Sequence, residues 1–160
     1  MADSKISNLT VALLLNNSDE FAVVQSGTTK KVTWSLVKTV IPNYMPIAIG
    51  DETTAITTGT SKYTFRMPAS GTLISIRASL AVAGSTSGTT TIDINKNGVS
   101  IFSTLLTIDS TEKTSETAAT PAVIGTATFL DDDEFTVDVD AITAGATEAG
   151  LKLWFETFLI

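Results

Sequence analysis

The chain has 160 residues, 43% of them hydrophobic and 17% charged, so it can bury a core, and its composition is not that of a disordered chain. Net charge is −7, and the ten basic residues are scattered, which argues against a phosphate-binding surface and hence against a nucleic-acid partner. The chain has no cysteine and no histidine, which removes disulfides, thiol chemistry, Cys-based metal sites and the commonest catalytic base.

In chain order, "MADSKISNLT" has no basic region followed by an apolar core, so no signal peptide is expected. No apolar run approaches the roughly 20 residues of a membrane span. The expectation is a protein made in the cytoplasm, without membrane insertion. "ISNLTVALLLNNSDEFAVVQ" begins with an irregular apolar stretch that Asn16-Asn17-Ser18-Asp19 interrupts. Phe21 to Gln25 reads as a short strand, Ser26-Gly27 as a turn, and Thr29 to Thr33 as a second strand pairing back. Thr33 is placed to cap a short helix from Trp34 to Ile41, which Pro42 ends. This segment, 1–41, has too few apolar residues to be stable alone.

The stretch 42–50, "PNYMPIAIG", which Asp51 follows, reads as a two-proline linker. From 51 to 160 the pattern becomes β. Thr is frequent in alternating apolar runs, where a β-branched side chain suits a half-exposed pleated surface. Strands are expected near Ala55–Thr58, Tyr63–Met67, Thr72–Val82, Thr89–Asn95, Val99–Thr107, Val123–Thr128, Phe135–Asp140 and Leu151–Ile160. Asn97-Gly98 supplies the positive φ of a tight hairpin between the fourth and fifth of these. About eight short strands in roughly 110 residues predict an all-β protein. The expected architecture is a jelly-roll-like β-sandwich with a small N-terminal β-hairpin and short helix.

The last strand, "GLKLWFETFLI", puts Leu151, Leu153, Phe155 and Leu159 on one face and Trp154, Phe158 and Ile160 on the other. One face fills the core. The other predicts a subunit interface, since large exposed apolar patches mark contact surfaces.

No Gly-x-Ser-x-Gly, Walker loop or His-Glu metal helix occurs. Asp93, Asp138 and Asp140 alternate with Ile92, Ile94, Val137 and Val139, the pattern of a strand's wet face, and Asp109 follows a similar run. No base, orienter or oxyanion device accompanies them, so no enzyme activity and no cofactor are expected. Asp131, Asp132, Asp133 and Glu134 form the densest acidic run and are the one weak Ca²⁺ candidate, although they lack the spaced ligands and glycine of an EF-hand loop.

Two stretches carry a resemblance. Lys5-Ile6-Ser7, Leu9, Asp19, Val23-Val24-Gln25, Gly27 and Thr28 to Thr33 match a short N-terminal module that resembles those of tailed-bacteriophage tail-fibre and virion proteins. Thr10 departs from that pattern, which often has proline there. A second stretch, from about Ala48 to Leu153, looks like a β-domain of phage virion, fibre and decoration proteins. The resemblance implies a virion structural protein whose first segment anchors it to other phage proteins of the tail or capsid. Lys5, Ile6, Leu9, Phe21, Val23, Val24, Gln25, Lys30, Lys31 and Trp34 would form that anchor. It also implies a homotrimer. A different class of reading is a module that binds host-surface glycans through exposed aromatics such as Tyr44, Tyr63 and Trp154, which are not clustered in sequence.

Overall fold

A computed structural model describes Asn16 and residues 18–160. The apolar stretch before Asn16, with Lys5, Ile6 and Leu9, lies outside the described residues. The chain divides into two compact units, Met1–Ile41 and Pro42–Ile160.

In the first unit, β1 (Glu20–Gln25) and β2 (Thr28–Thr33) form an antiparallel hairpin. Ser26 and Gly27 turn it with φ of 53° and 75°, both left-handed, as a two-residue hairpin turn whose twist matches the strands requires. Helix α1 is Trp34–Lys38, with Thr33 Oγ1 accepting the Leu36 N–H at 3.2 Å. It stops three residues short of the expected Ile41. Thr39 and Val40 N–H groups donate to Leu36 and Val37 carbonyls, three residues back, so the last turn tightens and ends the helix ahead of Pro42.

The second unit holds β3 (Asn43–Ala48), β4 (Gly59–Arg66), β5 (Gly71–Ser79), β6 (Thr89–Lys96), β7 (Val99–Ser100), β8 (Phe102–Thr104), β9 (Leu106–Asp109), β10 (Val123–Ile124), β11 (Thr128–Phe129), β12 (Glu134–Ala141) and β13 (Lys152–Leu159). One sheet has the order β11-β5-β13-β3, and the other β4-β12-β6-β7 with β9 also on β6. Taking 99–109 as one broken segment and 123–129 as the next, eight segments give sheet orders 6-3-8-1 and 2-7-4-5. Every connection except the Asn97-Gly98 hairpin crosses between these two sheets, which is the winding of a jelly roll, and β8 pairs with β10 as a small separate sheet where segment 5 crosses to segment 6. Among the described residues no helix is long and apolar enough to cross a membrane.

Four expectations fail locally, each for a physical reason. The stretch read as a linker, 42–50, contains strand β3, paired from Asn43 to Ala48 along the far side of β13. Its Pro46 is tolerated because β3 is an edge strand, where a missing N–H need not break a ladder. No strand forms at 55–58, which contributes the isolated bridge Ala55↔Ala149 and the Ile56 N–H bond to the Glu148 carbonyl. The Asp51 carboxylate instead gathers the Thr53 and Thr54 N–H groups (2.7 and 2.6 Å) into a turn, and those bonds hold its pKa well below the usual carboxylate range. The Val99–Thr107 strand is broken in three, with Ser100 Oγ bound to Asp93 Oδ1 (2.6 Å) and to the Phe102 N–H (3.2 Å). Val123–Thr128 splits at Gly125, where Gly125 and Thr126 N–H groups both turn to the Ile101 carbonyl (2.7 and 3.0 Å).

Between the sheets lie Ile92, Ile94 and Val137 from one side and Leu73, Ile76 and Leu153 from the other, all buried. Phe135 of β12 and Phe155 of β13 meet edge to face at 6.5 Å, and Phe65 stacks on Phe135 at 5.5 Å and meets Phe155 edge-on at 5.6 Å. Gly71, where β5 begins, leaves no room for a side chain. A Cβ there would stand 2.4 Å from the Phe158 carbonyl oxygen and 2.7 Å from Phe129 Cζ. Gly71→Ala is therefore expected to destabilise this unit by about 1–3 kcal/mol, the range for overpacking. An unchanged urea midpoint would show that this strand end can shift at no cost.

At one end of the sandwich, Glu148 is fully buried. Its Oε1 accepts the Thr143 N–H at 2.6 Å and the Thr90 hydroxyl at 3.2 Å, and its own carbonyl accepts the Ile56 N–H at 2.7 Å. Oε2 has no partner among the described residues.

Candidate functional site

Alternation along β13 turns Leu153, Phe155 and Thr157 inward and Lys152, Trp154, Glu156 and Phe158 outward. Register places Trp154 between Pro46 of β3 and Arg77 of β5, and Glu156 between Tyr44 and Ser75. A bulge in β5 follows: Glu156 faces Ser75 but Thr157 faces Leu73, so Ile74 is the extra residue and is exposed.

These positions build a groove of ≈ 400 Å³ on the outer face of the four-stranded sheet, with Tyr44, Trp154, Arg77, Glu116, Glu156 and Ser75 in its walls. Tyr44 is 63% exposed and Trp154 43%. The Glu156 carboxylate is held from both sides: the Tyr44 hydroxyl donates to Oε1 at 3.1 Å and the Ser75 hydroxyl to Oε2 at 2.7 Å. The hydrogen bond to Glu156, and its charge, push the Tyr44 hydroxyl above its ordinary pKa. Arg77 Nη2 pairs with Glu116 Oε2 at 2.9 Å. Glu116 reaches it from a 3-10 turn, Ser115–Thr117, where Thr114 Oγ1 accepts the Glu116 N–H at 3.2 Å. Ser115 Oγ in turn accepts the Ala78 N–H of β5 at 2.9 Å.

The outer face of the other sheet is different in kind. β12, β6 and β4 present Thr136, Asp138, Asp93, Asn95, Thr64 and Arg66. Asp138 accepts the Ser61 N–H at 2.6 Å and the Asn95 amide at 3.0 Å, and Asp109 accepts the Ala119 N–H at 2.8 Å. Desolvation, with the charges of Asp93 and Asp138, raises the Asp140 pKa. Asp93, Asp109 and Asp138 thus bond strands and their turns.

Of the residues singled out from sequence, Trp154 lies in the groove, Phe158 is half-buried four residues along the same strand, and Ile160 is 87% exposed at its end. The Ile160 N–H donates to the Ser70 carbonyl (2.9 Å) and the Asp131 N–H to the Ser70 hydroxyl (3.0 Å), which brings exposed Leu130 to the same end. Asp131, Asp132 and Asp133 lie in the β11–β12 turn, and Glu134 opens β12. Asp133 accepts the Leu130 N–H and the Asn97 amide (2.8 and 2.7 Å), and these bonds lower its pKa. Arg66 pairs with Asp132 and Glu134 at 3.3 and 3.1 Å. Asp132, Asp133 and Glu134 thus spend oxygens on local partners, and among the described residues no three acidic side chains converge as metal ligands.

In the hairpin unit, Phe21 lies opposite Val32 and Val23 opposite Lys30, and the Phe21 and Trp34 rings are 6.1 Å apart. Lys30 Nζ donates to Gln25 Oε1 at 2.9 Å, Lys31 pairs with Glu20 at 2.8 Å, and Val24 is exposed. Tyr63 is at the β4 edge beside Phe65, away from Tyr44 and Trp154.

Arg77 and Glu116 escape sequence reasoning, which names Tyr44 as an exposed aromatic but does not bring it beside Trp154. The usable signal for Tyr44 is the alternation of Met45, Ile47 and Ile49 through the supposed linker. Nothing local links Arg77 or Glu116 to Trp154. No family model matches the sequence, and a search of curated proteins finds no match.

Proposed function

We propose that this is a non-enzymatic structural protein of a bacteriophage particle, displayed as a short tail fibre or a capsid fibre or decoration protein. The hairpin unit, 1–41, anchors it, and the jelly roll projects as a homo-oligomer. The particle assignment rests on the N-terminal motif resemblance. The assembly part is carried by one observation: the two sheets have unlike outer faces. The central strands β12 and β6 turn Thr, Asp and Asn outward, whereas the four-stranded sheet exposes Ile74 and Trp154, with Leu130 and Ile160 exposed just past the ends of β11 and β13. In this reading Phe158, Ile160 and Leu130 make the subunit contact, with Trp154 at its margin. Closed symmetry keeps such a contact from growing into a filament. Three-fold symmetry is taken from the likeness to phage fibres.

The wild type is expected to sediment as an oligomer at micromolar concentration, and the double change Phe158→Ser, Ile160→Ser as a monomer with its strand content intact. A monomeric wild type removes the assembly proposal. Deleting residues 1–41 is expected to leave the jelly roll folded and to abolish incorporation into particles. Normal copy number in particles made with the truncated chain refutes the anchor.

A further inference from the structure

We propose that the groove between Tyr44 and Trp154 is a saccharide-binding site that takes a neutral pyranose. The inference goes beyond the particle assignment and does not depend on it.

A pyranose offers two chemistries at once, an apolar C–H face and a rim of hydroxyls. It therefore asks for flat aromatic surface next to polar groups fixed in place. Trp154 and Tyr44 supply the first, on adjacent strands of one sheet face and both open to solvent. Tyr44 is tethered through its hydroxyl to Glu156, so its ring loses little freedom when a ligand packs on it.

Glu156 supplies the second. A carboxylate has about four lone-pair sites. Tyr44 and Ser75 use one site on each oxygen, which orients the group and leaves each oxygen able to accept a sugar hydroxyl. Arg77 is oriented by Glu116 and has five N–H donors. Ser79 and Thr114, also in the walls, add hydroxyls. The groove thus combines acceptor, donor and ring surface.

Charge narrows the class. The groove walls hold one cation, Arg77, and two carboxylates, Glu116 and Glu156, so an acidic sugar meets a net negative wall while a neutral one does not. An extended peptide is a poorer fit, because β-augmentation needs a regular exposed edge and Pro46 interrupts the N–H ladder of β3. At ≈ 400 Å³ the groove is at the lower end of ligand-site volumes, suited to one or two rings.

The chain has two tryptophans, so Trp34→Phe in the full chain leaves Trp154 as sole fluorophore. This protein is titrated with the methyl glycosides of glucose, galactose, mannose and N-acetylglucosamine. At least one is expected to change Trp154 emission saturably with a millimolar Kd. Tyr44→Ala and Glu156→Gln, each checked for native circular dichroism, are expected to weaken that binding about tenfold or more. The proposal is overturned if none of the four glycosides gives saturable binding, or if both variants bind as well as the parent. It is equally overturned if acrylamide reaches Trp154 only after Phe158→Ser and Ile160→Ser break the assembly, since a second copy then covers the groove. Sedimentation of the same samples reports on the oligomer separately, so failure of one idea is not failure of the other.

Discussion

Replacing Phe135 with Ala is expected to cost the jelly roll about 3–5 kcal/mol, the range for a large buried aromatic. Phe135 is fully buried and touches partners from both sheets: Phe65 at 5.5 Å, Phe129 at 6.3 Å and Phe155 at 6.5 Å. The loss has two parts. Burial of the ring is forfeited, and a cavity remains because β12 is clamped between β4 and β6 and cannot collapse into it. Domains of this size hold about 5–15 kcal/mol in total, so the variant sits near its folding limit. Urea unfolding followed by circular dichroism measures the difference. A loss below about 1 kcal/mol would mean that the sheets close over the gap and that the aromatic cluster is not the joint between them.

The second large effect is expected at Glu148. Glu148→Ala leaves the Thr143 N–H and the Thr90 hydroxyl without their acceptor in a buried place, at a cost of about 3 kcal/mol. Burial by itself pushes this carboxyl up, but donors on Thr143, its own backbone N–H and the Thr90 hydroxyl outweigh burial and hold it below its ordinary value. A folded-state value below the unfolded one means that ionised Glu148 stabilises the fold at neutral pH. That contribution is lost as pH falls from the ordinary value of 4.5 through the lowered one. Glu148→Gln keeps an acceptor oxygen but cannot titrate. It is expected to be less stable than wild type at pH 7 and to lose less on acidification. Parallel acid-unfolding curves for the two proteins would remove Glu148 from the titration.

Strands whose apolar residues alternate in one face-in, face-out rhythm were legible before the structure. β6, β12 and β13 were found within two residues of their ends, because Ile92 and Ile94, Val137 and Val139, and Leu153 and Phe155 each mark a buried face. The Asn97-Gly98 hairpin was legible for a stereochemical reason, and both residues have positive φ, 50° and 80°. β3 was not, since two prolines suggested a linker, and the tolerance of an edge strand for proline depends on a partner more than a hundred residues away. The breaks at Ser100 and Gly125 depend on hydrogen bonds to Asp93 and the Ile101 carbonyl, which no local pattern announces. The site was half legible. Trp154 stands out in its strand, but its companions Tyr44, Arg77 and Glu116 come from three other parts of the chain.

The pairing of β3 with β13 has a kinetic consequence. Asn43 and Thr157 are cross-strand partners at a sequence separation of 114, and β13 also lies between β3 and β5. During synthesis, therefore, β3 has no neighbour in its sheet until β13 has been made. Such high contact order slows folding into the range of milliseconds to seconds. Through that interval Met45 and Ile47 wait without cover, and β5 exposes the edge that β13 will later occupy. Nascent chains of this protein are thus expected to be most prone to misassociate just before β13 arrives, and crowded translation of many copies widens the risk.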